Sequence, residues 1–237
     1  MPKYEEIANV LRERIKRGIY PPDSLLPNQT DLVNEFSVSR MTIKKAITIL
    51  SMEGLVYSRR GSGTKVLNHN FWENETSPFN VYHGLSKDMK EANRELSSEV
   101  IHFSVMFPDK NVQEKLAVEA QHPVYKIIRL RILEGQPYVI EHTYMPTDLV
   151  PGLTNEILKH SIYDYLGELG VQFAGAFRNI QAAKPDSYDQ KYLDCALDDP
   201  VLEVEQVVYL ENGRPIEYSR SRNRYDQRGY SLLDVKS

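Results

Sequence analysis

The sequence predicts a two-domain α+β protein: a small helical head closed by a β-hairpin, then a larger body built on antiparallel strands. Three observations lead there. The length of 237 residues is long for one domain and comfortable for two. Helical periodicity dominates the start of the chain, and strand and hairpin signals dominate the rest. Charge divides at the same place. Residues 1–67 hold 11 Lys+Arg against 7 Asp+Glu, a net of +4, while the remainder nets −8. A basic head on an acidic body is the electrostatic footprint of a nucleic-acid-binding module joined to something else. The division reads as a head over 1–67, a connection over 68–80 and a body over 81–237.

Composition narrows the class. Hydrophobic residues make up 41% and charged residues 26%, the balance of a soluble globular protein. No stretch approaches the ~20 apolar residues of a membrane helix. The N-terminus carries Glu5, Glu6 and Glu13 and no apolar core of signal-peptide type, so a mature, cytoplasmic chain without membrane contact is expected. Cys195 is the single cysteine; it can form no internal disulfide or metal cluster and is expected as a small core residue. No metal site, cofactor or catalytic residue is expected.

In the head, Ile7, Leu11 and Ile15 recur every fourth residue with Ala8 beside them, predicting a helix from Tyr4 to Arg17 that Gly18, Pro21 and Pro22 stop. Asn28 is a good N-cap, and Asp31 favours the first turn of a second helix ending near Phe36. Ser37-Val38-Ser39 forms a turn, and Ser39 caps a third helix ended by Gly54. Ile43, Ala46, Ile47 and Leu50 form its apolar stripe, while Arg40, Lys44 and Thr48 share another face. Two short helices joined by a tight turn, the second basic outside, read as a helix-turn-helix. Arg40, Met41, Thr42 and Lys44 are the residues that such a helix brings to a major groove. Strands over 55–58 and 64–67 flank Arg59-Arg60-Gly61-Ser62-Gly63, where glycine lets backbone approach DNA and arginine suits phosphate or a narrow minor groove. This hairpin is the wing.

The ordered set resembles the GntR family of bacterial regulators, through Leu26-Pro27, Val38-Ser39-Arg40-Met41-Thr42-Ile43-Lys44-Lys45-Ala46, Glu53-Gly54-Leu55-Val56 and Gly61-Ser62-Gly63-Thr64. The resemblance implies a homodimer on near-palindromic double-stranded DNA, with Arg40 reading guanine and Thr42, Lys44 and Lys45 adding base or phosphate contacts. Many members have Arg where Thr30 stands. That departure leaves Asn28, Thr30 and Ser39 with hydroxyl, amide or backbone bonds to phosphate.

Asn68 to Asn80, containing the lone Trp72, is polar and without period and reads as the interdomain connection. The body then shows a helix over 109–120, strands over 124–133 and 138–145 joined through Glu134-Gly135-Gln136-Pro137, short helices over 155–160 and 161–169, a strand over 172–183, a helix over 186–196, and a second hairpin over 202–223 through Asn212-Gly213. The two hairpins share a Gly, Pro and Glu pattern that places Glu141 and Glu217 alike, the mark of a weak internal repeat in an antiparallel α+β domain.

Arg129 and Arg131 alternate with Ile128, Leu130 and Ile132 and so project from one face ~6.5–7 Å apart. Two guanidiniums that close repel unless an anion lies between them, and Arg donates paired bonds to phosphate. A solvated face with acidic neighbours is the alternative. Arg129-Leu130-Arg131, Pro137, Ile140-Glu141-His142, Tyr144-Met145-Pro146, Ser161-Ile162-Tyr163, Pro215-Ile216-Glu217 and Arg224 resemble the UTRA domain of HutC-type GntR regulators, a fold similar to chorismate lyase. The resemblance implies a sugar-phosphate sensor, with Ser86, Ser161, Arg129 and Arg131 holding phosphate and Glu141, Tyr163 and Glu217 facing the sugar. Such sensors often carry Tyr where Asn223 lies. The expected function is a repressor released from its operator by a small molecule. The alternatives are a chorismate-lyase-like enzyme behind a DNA-binding head, or a sensor of a non-phosphorylated acid; no nucleophile–base pair or metal spacing favours the enzyme.

Overall fold

The computed structural model describes residues 2–59, 61–68, 76–78 and 84–231. They fall into two compact units, one holding the head and the other Glu75–Ser231. Arg60, Trp72 and most of the expected connection lie outside the described residues.

The head contains α1 (Lys3–Lys16), α2 (Gln29–Phe36), α3 (Arg40–Met52), β1 (Val56–Arg59) and β2 (Gly63–Val66). Its core is the set that periodicity selects. Ile7, Ala8 and Leu11 of α1 meet Leu32 of α2 and Ile43, Ala46, Ile47 and Leu50 of α3, closed below by Val56 and Val66 of the hairpin. Asn28 caps α2 by accepting from the Thr30 and Asp31 amides. Ser37, left-handed at φ 52°, ends it, and Ser39 caps α3. Arg12 of α1 pairs with Glu53 at the end of α3, bracing the two long helices.

The second unit is a six-stranded antiparallel sheet in the order β4-β5-β6-β9-β8-β7. Its strands are β4 (Leu96–Met106), β5 (Val124–Leu133), β6 (Gln136–Pro146), β7 (Phe173–Ala183), β8 (Val201–Leu210) and β9 (Pro215–Arg224). Helices α5 (Lys110–Leu116) and α8 (Ser187–Tyr192) cover one face, where Ile128, Leu130 and Ile140 pack with Leu193, Cys195 and Tyr188. Helices α6 (Asn155–Leu158) and α7 (Ile162–Glu168) cover the other, where Ile127 and Met145 pack with Leu158, Ile162 and Leu166. A short helix α4 (Leu85–Glu91) precedes β4, and β3 (Thr76–Pro78) pairs in parallel with β10 (Gly229–Ser231). Thus Thr76–Pro78, read from the sequence as connection, forms a strand of this unit.

The repeat glimpsed in the hairpins extends further. β4-α5-β5-β6 and β7-α8-β8-β9 are the same β-α-β-β unit twice. Each helix is N-capped by an aspartate after a proline, Asp109 and Asp186, and the two units meet at β6–β9. The sequence predicts no strand between 81 and 108, where the structure has β4, although Val100, Phe103 and Val105 among polar neighbours carry its signal. Both expected helices are shorter than drawn: left-handed Ala117 stops α5, and left-handed Asp194 follows the end of α8. The first hairpin turns through left-handed Glu134 and Gly135 alone, with strand resuming at Gln136. The second needs the four-residue connection 211–214, held by the Leu210 amide on the Arg214 carbonyl.

Candidate nucleic-acid interface and ligand cavity

α3 presents Arg40, Met41, Lys44 and Lys45 to solvent, and Met41 is 61% exposed. A large apolar side chain left bare on the outer face of a recognition helix is what a thymine methyl or sugar contact requires. Arg40 Nη2 lies 3.4 Å from the Thr30 hydroxyl, so the first turns of α2 and α3 converge. The Thr42 hydroxyl is 2.9 Å from Ser39 Oγ, tying Thr42 into the cap. Lys45 lies on another flank, with its ammonium 5.4 Å from the centre of the Tyr4 ring. In the wing, Arg59 pairs with Gly63, and Gly61 and Gly63 have φ of 81° and 84°, a backbone that side-chain-bearing residues adopt at a cost. Ser62 is exposed at the tip.

In the second unit seven of the eight expected ligand residues line one cavity: Arg129, Arg131, Glu141 and Glu217 by strand alternation, Ser86 from α4, and Ser161 and Tyr163 from the start of α7. Arg129 and Arg131 are only 5% and 4% exposed. The anion expected between them is supplied in part by the protein. Glu141, opposite Arg129 on β6, accepts from Arg129 Nη2 at 2.6 Å and from Arg131 Nη1 at 3.3 Å. Its carboxylate is therefore the counter-ion of the pair, not only a group facing the cavity. Burial works to raise the Glu141 carboxyl, but Arg131 and Arg129 outweigh it and hold it at about 2. One carboxylate for two guanidiniums leaves the cluster cationic. Burial lowers Arg131 below its ordinary value, and Arg129 and Arg228 push the same way against Glu141. The Nε atoms of both arginines are buried with no partner among the described residues.

Glu217 differs. It accepts from Ser219 at 2.6 Å, Tyr163 at 2.9 Å and Gln206 at 3.0 Å, all uncharged donors. Burial raises its carboxyl above the ordinary range, those three bonds pull it down, and nearby Glu141 adds to the rise. Ser86 accepts from Arg131 Nη2 at 2.8 Å; it is the second residue of α4, whose cap is Gly84. Ser161 caps α7 through the Asp164 amide. A Cβ on Gly84 would stand 2.5 Å from Tyr163 Cδ2, so glycine is required for α4 to sit against that ring.

Asn223 does not line the cavity. It is fully buried and donates to the Leu202 and Ser221 carbonyls, a bracing role that corrects its placement beside the ligand. Sequence reasoning missed Arg178, Gln206, Ser221, Arg228 and Tyr230, which do line it. Gln206 and Ser221 were legible by alternation from Val204 and Glu217. Arg228 and Tyr230 arrive on the return to β10, which no local pattern announces. Cys195 is buried, and burial pushes its thiol up to about 11. Among the described residues no cluster of His, Cys, Asp or Glu could hold a metal, and no helix is long and apolar enough to cross a membrane.

A winged helix-turn-helix on the same chain as a sheet domain with a buried cationic cavity defines a ligand-sensing transcription regulator. The chain belongs to the GntR family of bacterial regulators, in its HutC branch. Residues 3–66 match the model for bacterial regulatory proteins of the gntR family, and residues 91–227 match the UTRA domain. It is 44% identical to the HTH-type transcriptional regulator GmuR of Bacillus subtilis over all of both chains. It is 31% identical to the mannosyl-D-glycerate transport/metabolism system repressor MngR of Escherichia coli, over 98% of this chain and 95% of that one. The crystal structure of YydK from Bacillus subtilis superposes with a TM-score of 0.72 at 27% identity over all of both chains. PhnF from Mycobacterium smegmatis, at 21% identity and TM-score 0.63 over all of both chains, shares the fold. These relatives set aside the enzyme reading: the chain is a DNA-binding transcription regulator.

Proposed function

We propose that this chain is a cytoplasmic, homodimeric repressor that leaves a near-palindromic operator when its second unit binds a sugar carrying an anionic group, a phosphorylated sugar first among the candidates. The observation that carries the reading is the short-changed arginine pair: two buried guanidiniums share one carboxylate, with two Nε–H groups unsatisfied. A buried charge that is only partly compensated is costly, and a bound phosphate would relieve it through paired hydrogen bonds. Hydroxyls of Ser86 and Ser161 line the same cavity, and Glu217, Gln206 and Tyr163 offer acceptors and donors for sugar hydroxyls. In the head, Arg40, Thr42 and Lys44 would contact base edges or phosphate, Asn28, Thr30 and Ser39 phosphate, and the wing at Arg59–Gly63 the minor groove. Lys45, held over Tyr4, would reach phosphate rather than bases. A carboxylate in place of phosphate is the second reading, favoured by the likeness to a repressor of a mannosyl-glycerate system.

A thermal-shift screen tests this. Phosphorylated sugars, their unphosphorylated partners and sugar acids are compared, because a ligand of the native state raises Tm. The expected outcome is a rise with anionic sugars only, and loss of operator binding in a gel shift at the same concentrations. Equal rises with neutral sugars would refute the anion cradle.

A further inference from the structure

Part of the cavity wall is not carried by the six-stranded sheet. β9 ends at Arg224, and the chain turns back through 225–228 into β10. Arg228 and Tyr230 on that return line the cavity. Arg228 ties the return to the sheet. Its Nη1 donates to Asn223 Oδ1 of β9 at 3.4 Å. Its guanidinium carbon lies 6.0 Å from the centre of the Tyr138 ring of β6 and 5.0 Å from that of Tyr230. Its charge also adds to burial in lowering Arg131.

β10 in turn holds β3. The two strands form a sheet of their own, parallel, with Gly229 beside Thr76, Tyr230 beside Ser77 and Ser231 beside Pro78. Three residues of two-stranded parallel ladder are marginal by themselves. Arg228 and Tyr230 steady them, and both belong to the cavity wall. A molecule in the cavity that touches either residue has that contact only while β10 is in place. It therefore binds the paired arrangement more tightly than the unpaired one, which is the condition for shifting the balance between them.

β3 is also the first element of the second unit that the chain reaches after the wing. Paired, it anchors the chain at Thr76. Unpaired, the next element is α4 at Leu85, nine residues on. At ~3.3–3.6 Å per residue the difference is ~30 Å of reach at full extension. Two heads that must meet half-sites at a fixed spacing are sensitive to a change of that size.

We infer that the β3–β10 pair is the output of the cavity: a bound ligand secures β10 through Arg228 and Tyr230, β10 secures β3, and the shortened tether keeps the two heads of a dimer from spanning their half-sites. This rests on the cavity being the sensing site, as proposed above, and not on which molecule fills it.

A cross-link tests the inference without any ligand. Thr76→Cys/Gly229→Cys sets two thiols at register partners of the pair, within the Cα separation that a disulfide accepts; the native Cys195 is buried. Duplexes that the parent chain selects from a random pool serve as operator in a gel shift. Oxidised with diamide, the full-length double variant should lose about tenfold or more in operator affinity, and dithiothreitol should restore it. Each single-cysteine variant, treated alike, should be unchanged. Oxidised protein that holds operator as tightly as reduced protein overturns the inference. So does a pair that will not cross-link, because the strands then do not lie together. Hydrogen exchange of the unaltered chain gives the reciprocal readout: amides over 76–78 and 229–231 should exchange severalfold faster on operator than off it, and equal or slower exchange overturns the inference. If an anionic sugar releases the parent chain from operator while the cross-link does not, the anion cradle stands and the pair is not its output. If the cross-link releases operator and no anionic sugar does, the pair stands and the cradle falls.

Discussion

Two buried arginine clusters lie on opposite faces of the same sheet, and only one of them is complete. On the α5–α8 face, Arg222 of β9 meets two buried carboxylates: it clamps Asp189 of α8 through Nε and Nη2 at 2.7–3.1 Å, and it pairs with Glu203 of β8. Its remaining reach goes to the Lys184 carbonyl at 2.7 Å. Burial works against that guanidinium, but the acids, Asp189 first, raise it above its ordinary value. On the other face, Arg129 and Arg131 divide one carboxylate, and Arg131 is lowered. The closed ion network matches its cation with acids; the open one of the same residue types is the one proposed to take a ligand. Burial of charge alone does not mark a binding site. The balance of charge inside the burial does.

The comparison breaks most visibly through Arg222. Arg222→Met would strand Asp189 and Glu203 without a cation, and removing one partner of a buried pair costs about 3–5 kcal/mol. At roughly 2–4 °C per kcal/mol for a domain of this size, Tm should fall by about 6–20 °C. A thermal melt showing less than a few degrees of change would mean that the complete cluster is not what holds α8 to the sheet.

Arg131→Met is the converse test. It leaves Glu141 its 2.6 Å bond to Arg129 and so strands no acid without a cation, and the loss of stability should be smaller than the ~3–5 kcal/mol of Arg222→Met. Affinity for the anionic sugar should fall by roughly 10–100-fold, the worth of one or two charge-assisted hydrogen bonds, with operator binding intact. A loss of stability as large as that for Arg222→Met, with ligand affinity unchanged, would show that both clusters are structural.

Much of this was legible before any coordinates. In the head, the stripes Ile7–Leu11 and Ile43–Leu50 fix which faces meet, because a helix repeats its faces every three to four residues. Arg129 and Arg131 could be assigned to one face because a strand repeats every two. What lay hidden was pairing across the chain. Nothing near Glu141 in sequence says that it stands opposite Arg129, and nothing in Asn223 says that its amide is spent on backbone carbonyls. Arg228 and Tyr230 reach the cavity from beyond the last long strand, and β4 was obscured by its polar neighbours.

The smallest expected effect concerns the acid inside the open cluster's own cavity. Glu217 has no cationic partner among its hydrogen bonds, and burial raises its carboxyl above the ordinary range. A carboxyl raised in the folded state binds its proton more tightly there than in the unfolded chain. Stability is therefore greatest below the unfolded value near 4.5 and declines as pH rises through that value to the folded one. Glu217→Gln removes this decline while offering one acceptor to Gln206 and Ser219. The variant should melt a few degrees higher than the parent at pH 7.5 and match it at pH 4, while binding the sugar more weakly because a carboxylate acceptor is gone. Glu141, held at about 2, has the opposite sign: its contribution is present above pH 4.5 and is lost as pH falls toward 2. If Glu217→Gln were instead less stable than the parent at pH 7.5 and equal at pH 4, Glu217 would be a stabilising anion like Glu141. The cavity would then hold a second acid working for the fold rather than one poised for a ligand's hydroxyls.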